Sequence, residues 1–258
     1  MVLALLLIFP LVAHADWSSS ESAELELASA CWPNVLFSPP LIASLPPGRY
    51  LYSEIYGWFD PQHFRTGDPA QVIEDVSGAI TAGGGFVTIK QGVRGGLTGY
   101  SARYWISGDL THEEILATAL GIYLDWSVRF EAWQGEPPRS IAAPRTSFAI
   151  EDLPSQYLGF FAAAHGLDCA DVVACLLGPV EGSEDTPPHL VFWDPRTDLD
   201  SPELLGVRRV VNVEFTPKVP TDEAWINVPW PEPMHMEPAD PGHQCWLFVD
   251  DATWYFSP

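Results

Sequence analysis

The sequence predicts an α+β protein built around a central buried helix, and three observations lead to that prediction. Residues 111–135 form a long apolar segment with a helix start signal and a helix stop signal. Shorter segments with helix caps lie on both sides of it, and strand-like segments lie towards both ends of the chain. We therefore expect two or three further helices around the central one, covered by short antiparallel strands.

The central helix has clear boundaries. Thr111 and Glu114 have the spacing of a capping box, and Gly135 is suited to the left-handed conformation that follows a helix. The residues between them leave almost no polar stripe, which is typical of a helix buried on all sides. Asp125 and Arg129 are four residues apart and are expected to pair. Glu131 then has no obvious local partner.

Three further helices are predicted from their caps. Asp68 followed by Pro69 starts a helix that runs to the glycines at 83–85. Another runs over residues 153–165 and ends at Gly166, and Asp168 caps a short one that ends at Leu177. Residues 60–61 are expected to open a short helical turn that carries His63.

Strands are predicted where aromatic and β-branched residues form short or alternating runs. Residues 86–91 and 99–106 are expected to form a half-exposed hairpin. The proline-rich residues 229–241 are expected to form an extended surface segment. The other predicted strands are 49–56, 189–193, 207–215 and 246–256.

The N-terminal residues 1–15 have the pattern of an export signal. An apolar run at 3–12 is followed by the small-x-small site Ala13-His14-Ala15, although no Lys or Arg precedes the run. The run is too short to cross a bilayer, so a membrane anchor is the weaker interpretation. We expect an exported protein, periplasmic or extracellular, without a transmembrane segment after signal removal. Residues 16–258 are expected to form one domain, with a division near residue 180 as the alternative.

The four cysteines are Cys31, Cys169, Cys175 and Cys245. An even number in an exported chain favours disulfides, and three pairings are possible. The six-residue spacing in the predicted third helix disfavours a bond between Cys169 and Cys175. A bond between Cys31 and Cys245 is our preferred pairing, and the absence of a C-x-x-C pair argues against a zinc site.

The formal net charge of -22 excludes some classes of partner. Nucleic acids and anionic membrane surfaces require a basic patch, which this composition does not favour. The expected partner is an unidentified ligand or an envelope component. The sequence identifies no cofactor.

Four residues are candidates for a site. Asp60 and His63 share one face of the predicted turn, so the carboxylate is placed to orient the imidazole as a general base. Glu131 lies in an apolar helix, where burial raises the pKa of a carboxyl group and makes it a candidate acid or base. Arg65 is expected to complete the pocket. The competing interpretation is a structural polar cluster in which an arginine neutralises Glu131.

A metal site is a third possibility. His63, Glu131 and Glu151 offer a mixed nitrogen and oxygen ligand set. The central helix lacks the H-E-x-x-H spacing of zinc peptidases, and Phe130 stands where a further ligand would be most useful. The metal content is therefore left open.

Three short blocks occur in order between residues 50 and 219: GWFDPQHFR at 57–65, FEAWQG at 130–135 and SFAIEDLPSQYLG at 147–159. Their order and spacing resemble the domain-of-unknown-function family 4056, bacterial exported proteins and lipoproteins with no assigned activity. Asp60, His63, Arg65 and Glu131 match the family pattern. A family histidine is replaced by Phe130 and a family asparagine by Gln156. The resemblance implies that a function depending on that histidine is lost or altered here.

Two functional hypotheses follow. The first is a non-catalytic envelope or extracellular protein in which the polar residues form a buried network that holds the helices together. The alternative is a hydrolase-like envelope enzyme with His63 as base, Asp60 orienting it, and Glu131 and Arg65 completing the pocket. The replacement of the family histidine by Phe130 favours the first.

Overall fold

The computed structural model describes residues 45–93, 98–111, 114–136, 147–185, 187, 212–221 and 224–255. The predicted signal at 1–15, the predicted strand at 189–193 and Cys31 lie outside this part. The described residues contain four α-helices and eight strands, all paired antiparallel, which confirms the α+β fold. The helices are α1 (Pro69–Thr81), α2 (Glu114–Gln134), α3 (Asp152–His165) and α4 (Cys169–Leu176). The strands are β1 (Tyr50–Ser53), β2 (Gly57–Phe59), β3 (Gly84–Val93), β4 (Thr98–Ser107), β5 (Val180–Ser183), β6 (Lys218–Pro220), β7 (Trp225–Asn227) and β8 (Trp246–Tyr255).

The predicted N-terminal caps are observed, whereas Gly135 after α2 does not take the predicted left-handed conformation. The side chain of Asp68 accepts a hydrogen bond from the backbone N–H of Gln71 at 3.3 Å, and Asp168 accepts one from Ala170 at 2.7 Å. At the start of α2, the backbone N–H of Thr111 donates to the Glu114 carboxylate at 2.7 Å, which is the return half of a capping box. These short-range contacts join residues two or three apart, so the sequence pattern predicts them well.

The central helix α2 lies in the core as predicted. Its fully buried side chains include Trp126, Tyr123 and Ile122. Asp125 and Arg129 do pair, at 2.6 Å, but both side chains are about one-third exposed at the helix surface. Glu131 is the charged residue that α2 buries completely.

The strands form three small sheets. The order in the largest is β3-β4-β8, and β3 and β4 form the predicted hairpin over ten paired positions. A second sheet has the order β2-β1-β5, and β6 and β7 form a two-stranded hairpin. The first two sheets each combine strands from distant parts of the chain, which brings the two ends of the described chain onto the helices.

Two strand and loop predictions are corrected. The described residues of the predicted strand 207–215, residues 212–215, are not a strand. Residues 229–241 lie largely at the surface as predicted, but the segment is not extended throughout, because a 3-10 turn spans Glu232–Met234 and the side chains of Trp230 and Met234 are buried. The hydroxyl of Tyr157 donates to the carbonyl of Met234 at 2.6 Å, which attaches this segment to α3. Proline disfavours regular structure but does not prevent burial of the aromatic side chains beside it.

The predicted bond between Cys31 and Cys245 is wrong. Cys245 and Cys169 carry free thiols, whereas Cys175 is disulfide-bonded. Cys175 lies in α4 and is buried. Parity and spacing left three pairings open, and the choice among them required a three-dimensional structure.

Candidate functional site

The polar centre of the molecule is a set of five residues that we call the His63 cluster: Asp60, His63, Glu131, Glu151 and Asp152. Asp60 and His63 lie on the turn after β2, Glu131 lies in the last turn of α2, and Glu151 and Asp152 lie at the start of α3. The four acidic residues are 0 to 6% exposed. Because charged groups are rarely buried without partners, the contacts of each residue determine what the cluster can do.

The turn that carries His63 is fixed by local hydrogen bonds. The Asp60 carboxylate accepts from the backbone N–H of Gln62 at 2.8 Å, and the His63 N–H donates to the Asp60 carbonyl at 2.9 Å. The Asp60 N–H in turn donates to the Ser155 hydroxyl on α3 at 2.9 Å. A polar side chain that accepts from the backbone two residues on is a standard way to start such a turn.

Gly159 allows the turn to lie directly against α3. A Cβ atom at this position would lie 2.0 Å from the carbonyl oxygen of Phe64, which is far inside van der Waals contact. Phe64 follows His63 and is itself buried. Gly159 lies one helical turn after Ser155 and two turns after Asp152. It therefore sets the distance between the His63 turn and the acidic start of α3.

His63 pairs with Asp152. The imidazole Nδ1 lies 2.9 Å from the carboxylate Oδ1, and the side chains are 21% and 3% exposed. Burial is the largest single effect and lowers the pKa of His63. The charge and hydrogen bond of Asp152, together with the charges of Glu131 and Asp60, outweigh burial and raise this pKa to about 10. His63 is therefore an imidazolium at neutral pH.

Glu131 is 0% exposed and hydrogen-bonded through both carboxyl oxygens. Oε1 accepts from the side-chain amide of Gln156 at 2.8 Å, and Oε2 accepts from the backbone N–H of Phe148 at 3.1 Å. Burial and the neighbouring charge of Asp152 raise the pKa of Glu131 well above its ordinary value, and a hydrogen bond to Asp152 favours the same protonated form. The fold thus favours the protonated form of Glu131.

The backbone N–H of Phe148, which donates to Glu131, belongs to a residue with an unusual backbone conformation. Phe148 has φ 51°, in the left-handed region, and its side chain is 1% exposed. A bulky residue with positive φ is uncommon and costs of the order of 1–3 kcal/mol. The hydroxyl of Ser147 also donates to the Glu131 carbonyl at 2.6 Å, so the 147–148 segment holds the Glu131 backbone and side chain together.

Glu151 completes the cluster. Burial raises its pKa to about 8, with a further contribution from the Asp152 charge. Within the described part of the chain its Oε2 atom and the Oε1 atom of Gln156 have no hydrogen-bond partner. Burial also raises the pKa of Asp60, and the His63 charge opposes that shift. The cluster therefore combines one ion pair, His63 with Asp152, with three carboxyl groups whose raised pKa values favour the protonated form.

The structure brings together three of the four predicted site residues, Asp60, His63 and Glu131. Arg65 is not in the cluster, because two residues further along the short 3-10 turn its side chain points to solvent. It lines a different cavity of about 620 Å³, together with Gly159 and Cys169. Asp152 takes the orienting role predicted for Asp60, and Gln156 rather than an arginine satisfies Glu131. No local sequence signal links Asp152 to His63, since the contact joins two distant segments.

Phe130, the residue before Glu131, faces another part of the core. Its ring stacks on Trp126 and Trp133, with centroids 5.1 Å and 5.8 Å apart, and lies 6.4 Å from the Tyr100 ring on β4. Consecutive helical residues point about 100° apart. Position 130 therefore contacts the β3-β4-β8 sheet, while position 131 contacts α3 and the His63 cluster.

The described residues contain no group of three or more His, Cys, Asp or Glu side chains arranged to hold a metal ion. The ligand set of His63, Glu131 and Glu151 is not assembled in this form. The cavities of about 680, 620 and 600 Å³ lie elsewhere, and no residue of the His63 cluster lines them. The cluster is held by internal pairing.

In the described ranges, no single helix is long and apolar enough to cross a membrane; α3 and α4 reach that length and hydropathy only as a pair bent by 108°. The three sequence blocks that carry the resemblance to family 4056 converge in space, since every residue of the His63 cluster belongs to one of them. The chain matches no family model, no curated protein and no solved structure.

Proposed function

We propose that this is an exported, non-catalytic envelope or extracellular protein whose His63 cluster holds the helices of a single domain together. The observation that carries the proposal is the environment of Glu131. Its carboxyl group is 0% exposed and both its oxygens accept hydrogen bonds from the protein. A group enclosed in this way has no free position for a substrate, whereas it links α2 to α3 and to the 147–148 segment.

The protonation of His63 supports the same proposal. A general base must be able to accept a proton at the working pH, so its pKa should lie near neutrality. Asp152 raises the pKa of His63 to about 10, despite the opposing effect of burial. The imidazole is therefore already protonated, and its role is that of a cation that compensates the buried carboxylate of Asp152.

Export is supported by the apolar N-terminal run with its small-x-small site and by the disulfide bond of Cys175. Disulfides persist in oxidising compartments such as the periplasm or the extracellular space. The relationship to family 4056 is part of the proposal and is supported by the convergence of its three blocks. We expect N-terminal sequencing of the protein recovered from a bacterial host to start at Asp16, and a product that still starts at Met1 would contradict export.

The hydrolase-like alternative is favoured by one observation. The His63 side chain is 21% exposed although its Nδ1 atom is buried, so another part of this side chain reaches solvent. A histidine held by a carboxylate in this way resembles the general base of many hydrolases. An imidazolium, however, can donate a proton but cannot accept one.

The experiment that separates the two functions measures stability and turnover in one set of variants. His63→Ala and Glu131→Ala are expected to lower the free energy of unfolding by about 3 kcal/mol each, because each leaves a buried polar partner unpaired. Neither the parent nor His63→Gln is expected to hydrolyse a panel of chromogenic esters, peptides and glycosides. Turnover that disappears in a fully folded His63→Gln variant would establish the enzyme instead.

A further inference from the structure

The groove between α1 and β3 is a second feature of the molecule, separate from the His63 cluster. It has a volume of about 680 Å³. One wall is formed by α1 residues that include Gln71, Asp75 and Ala79, and the other is formed by residues 84–90 of β3. It therefore follows a strand for most of its length.

β3 lies at the edge of its sheet. The strand order is β3-β4-β8, so among the described residues β3 pairs with β4 alone. The pairing runs from Gly84 to Val93 without a register shift. A long regular edge strand presents a row of unpaired N–H and C=O groups, which can accept another strand.

The opposite edge of the same sheet is protected. β8 carries Asp250 and Asp251 on its exposed part, and its pairing with β4 is interrupted between Arg103 and Tyr104. Charges and bulges are the usual means by which proteins prevent strand addition. β3 has no bulge, and it exposes Phe86 to 63%. The two edges thus differ, and a groove follows the β3 edge.

The charge of the groove selects the occupant. Asp68 and Asp75 lie on its helical side, against one lysine, Lys90, on the strand. The chain as a whole carries -22. Two copies of this chain would repel each other at this edge, whereas a basic segment would be attracted.

We propose that the β3 edge binds an extended peptide segment of a partner protein that carries Lys or Arg at every second position. The peptide adds to the sheet as a further strand through backbone hydrogen bonds to β3. Its alternate basic side chains point towards the acidic side of α1. The inference is independent of whether the His63 cluster is catalytic, since none of its residues line the groove.

The test uses the full chain and a fluorescein-labelled decapeptide of alternating Lys and Thr. A peptide of the same composition with all lysines at one end serves as the control for nonspecific attraction. The alternating peptide is expected to bind at least about tenfold more tightly, which corresponds to about 1.4 kcal/mol. Equal binding of the two peptides, or no binding of the alternating one, would overturn the proposal.

A matched pair of variants locates the site. Asp75→Lys reverses a charge in the groove and is expected to weaken binding of the alternating peptide by about tenfold or more. Glu74→Lys makes the same charge change on the neighbouring residue, which lines a different cavity, and is expected to change binding less than about twofold. Equal effects of both variants would contradict binding in the groove.

Hydrogen exchange distinguishes the peptide from two other occupants of the β3 edge, another segment of the same chain and a second copy of it. Alternate amides of β3 are expected to exchange quickly in the free protein and slowly with the peptide bound. Slow exchange in a free monomer would show that the chain covers its own edge. A concentration-dependent dimer that protects β3 would identify a second copy as the occupant. Either result would overturn the proposal.

Discussion

Nδ1 of His63 lies 2.9 Å from Oδ1 of Asp152, and this contact joins the turn after β2 to the first residue of α3. Asp152 also accepts a hydrogen bond from the backbone N–H of Ala149 at 2.7 Å, so one carboxylate fixes both the turn and the start of its own helix. An ion pair with these additional contacts is costly to break from one side, because the remaining charge stays partly buried.

The first prediction concerns this contact. Asp152→Asn is expected to lower the free energy of unfolding by about 3 kcal/mol, because the His63 cation loses the charge that compensates it. Urea denaturation at pH 7 measures the effect. Asp109→Asn, which neutralises an exposed aspartate, is the control and is expected to change stability by less than about 0.5 kcal/mol. Equal effects of the two variants would show that the pair contributes nothing specific.

The second prediction is a fall in stability as pH rises. The pKa values of His63, Asp60, Glu131 and Glu151 are all raised in the folded state, so folding takes up protons. The contribution of His63 is complete below its unfolded pKa of about 6.5 and is lost towards pH 10. The contributions of the carboxyl groups are complete below about pH 4 and are lost as pH rises, for Glu151 towards pH 8.

The measurement is the urea midpoint at pH 5, 7 and 9. We expect the midpoint to decrease steadily. The free energy of unfolding derived from it should fall by about 1.4 kcal/mol per pH unit for each proton that folding takes up. A midpoint that increases from pH 5 to pH 9 would contradict the assigned protonation of the cluster.

The third prediction isolates Glu131. Glu131→Gln replaces an acid whose protonated form the fold favours by a neutral amide of similar shape, so the variant has no proton to lose at this position. The lost hydrogen bond lowers the free energy of unfolding of the variant by the same amount at all pH values, because one amide oxygen cannot accept from both Gln156 and Phe148. Relative to the parent, the variant should therefore become more stable as pH rises from 5 to 8.

Urea midpoints of both proteins at the two pH values test this point. Glu74→Gln, an exposed change on α1, should keep a constant difference from the parent. If the difference between Glu131→Gln and the parent is also constant, Glu131 is not held protonated by the fold.

The fourth prediction concerns Gly159. A Cβ atom 2.0 Å from the Phe64 carbonyl forces the His63 turn away from α3, so Gly159→Ala is expected to cost about 2 kcal/mol or more. Gly78→Ala is the matched control, because it lies in α1 with no atom within 4 Å of the added Cβ. That change is expected to stabilise the protein by about 0.5–1 kcal/mol. Thermal melts of both variants measure these effects. An unchanged melting temperature of Gly159→Ala would contradict the packing argument.

The sequence predicts features that depend on near neighbours. The caps Asp68 and Asp168, the α3 terminus at Gly166 and the β3-β4 hairpin are all observed. Each is determined by residues a few positions apart or by a repeating pattern, so it can be recognised in one sequence. The burial of Glu131 was likewise predicted from the apolar helix around it.

The partners of the buried groups were not predictable in the same way. Asp152 and Gln156 reach His63 and Glu131 through the packing of separate elements, and no pattern in the sequence encodes that packing. Arg65 was assigned to the cluster because it is near His63 in sequence, but the short turn points its side chain elsewhere. Residues 229–241 were assigned to the surface from their prolines, although the burial of Trp230 depends on Tyr157 of α3, which stacks on its ring with centroids 5.4 Å apart.

The most direct test of the central claim is an NMR titration of the His63 ring in the intact protein. If His63 is the permanent cation of a structural network, its ring carbon and nitrogen shifts will be those of an imidazolium at pH 7.5, and Asp152→Asn will lower its pKa. A His63 that titrates near pH 6.5 and is neutral at pH 7.5 would contradict this account and would restore the histidine as a candidate base.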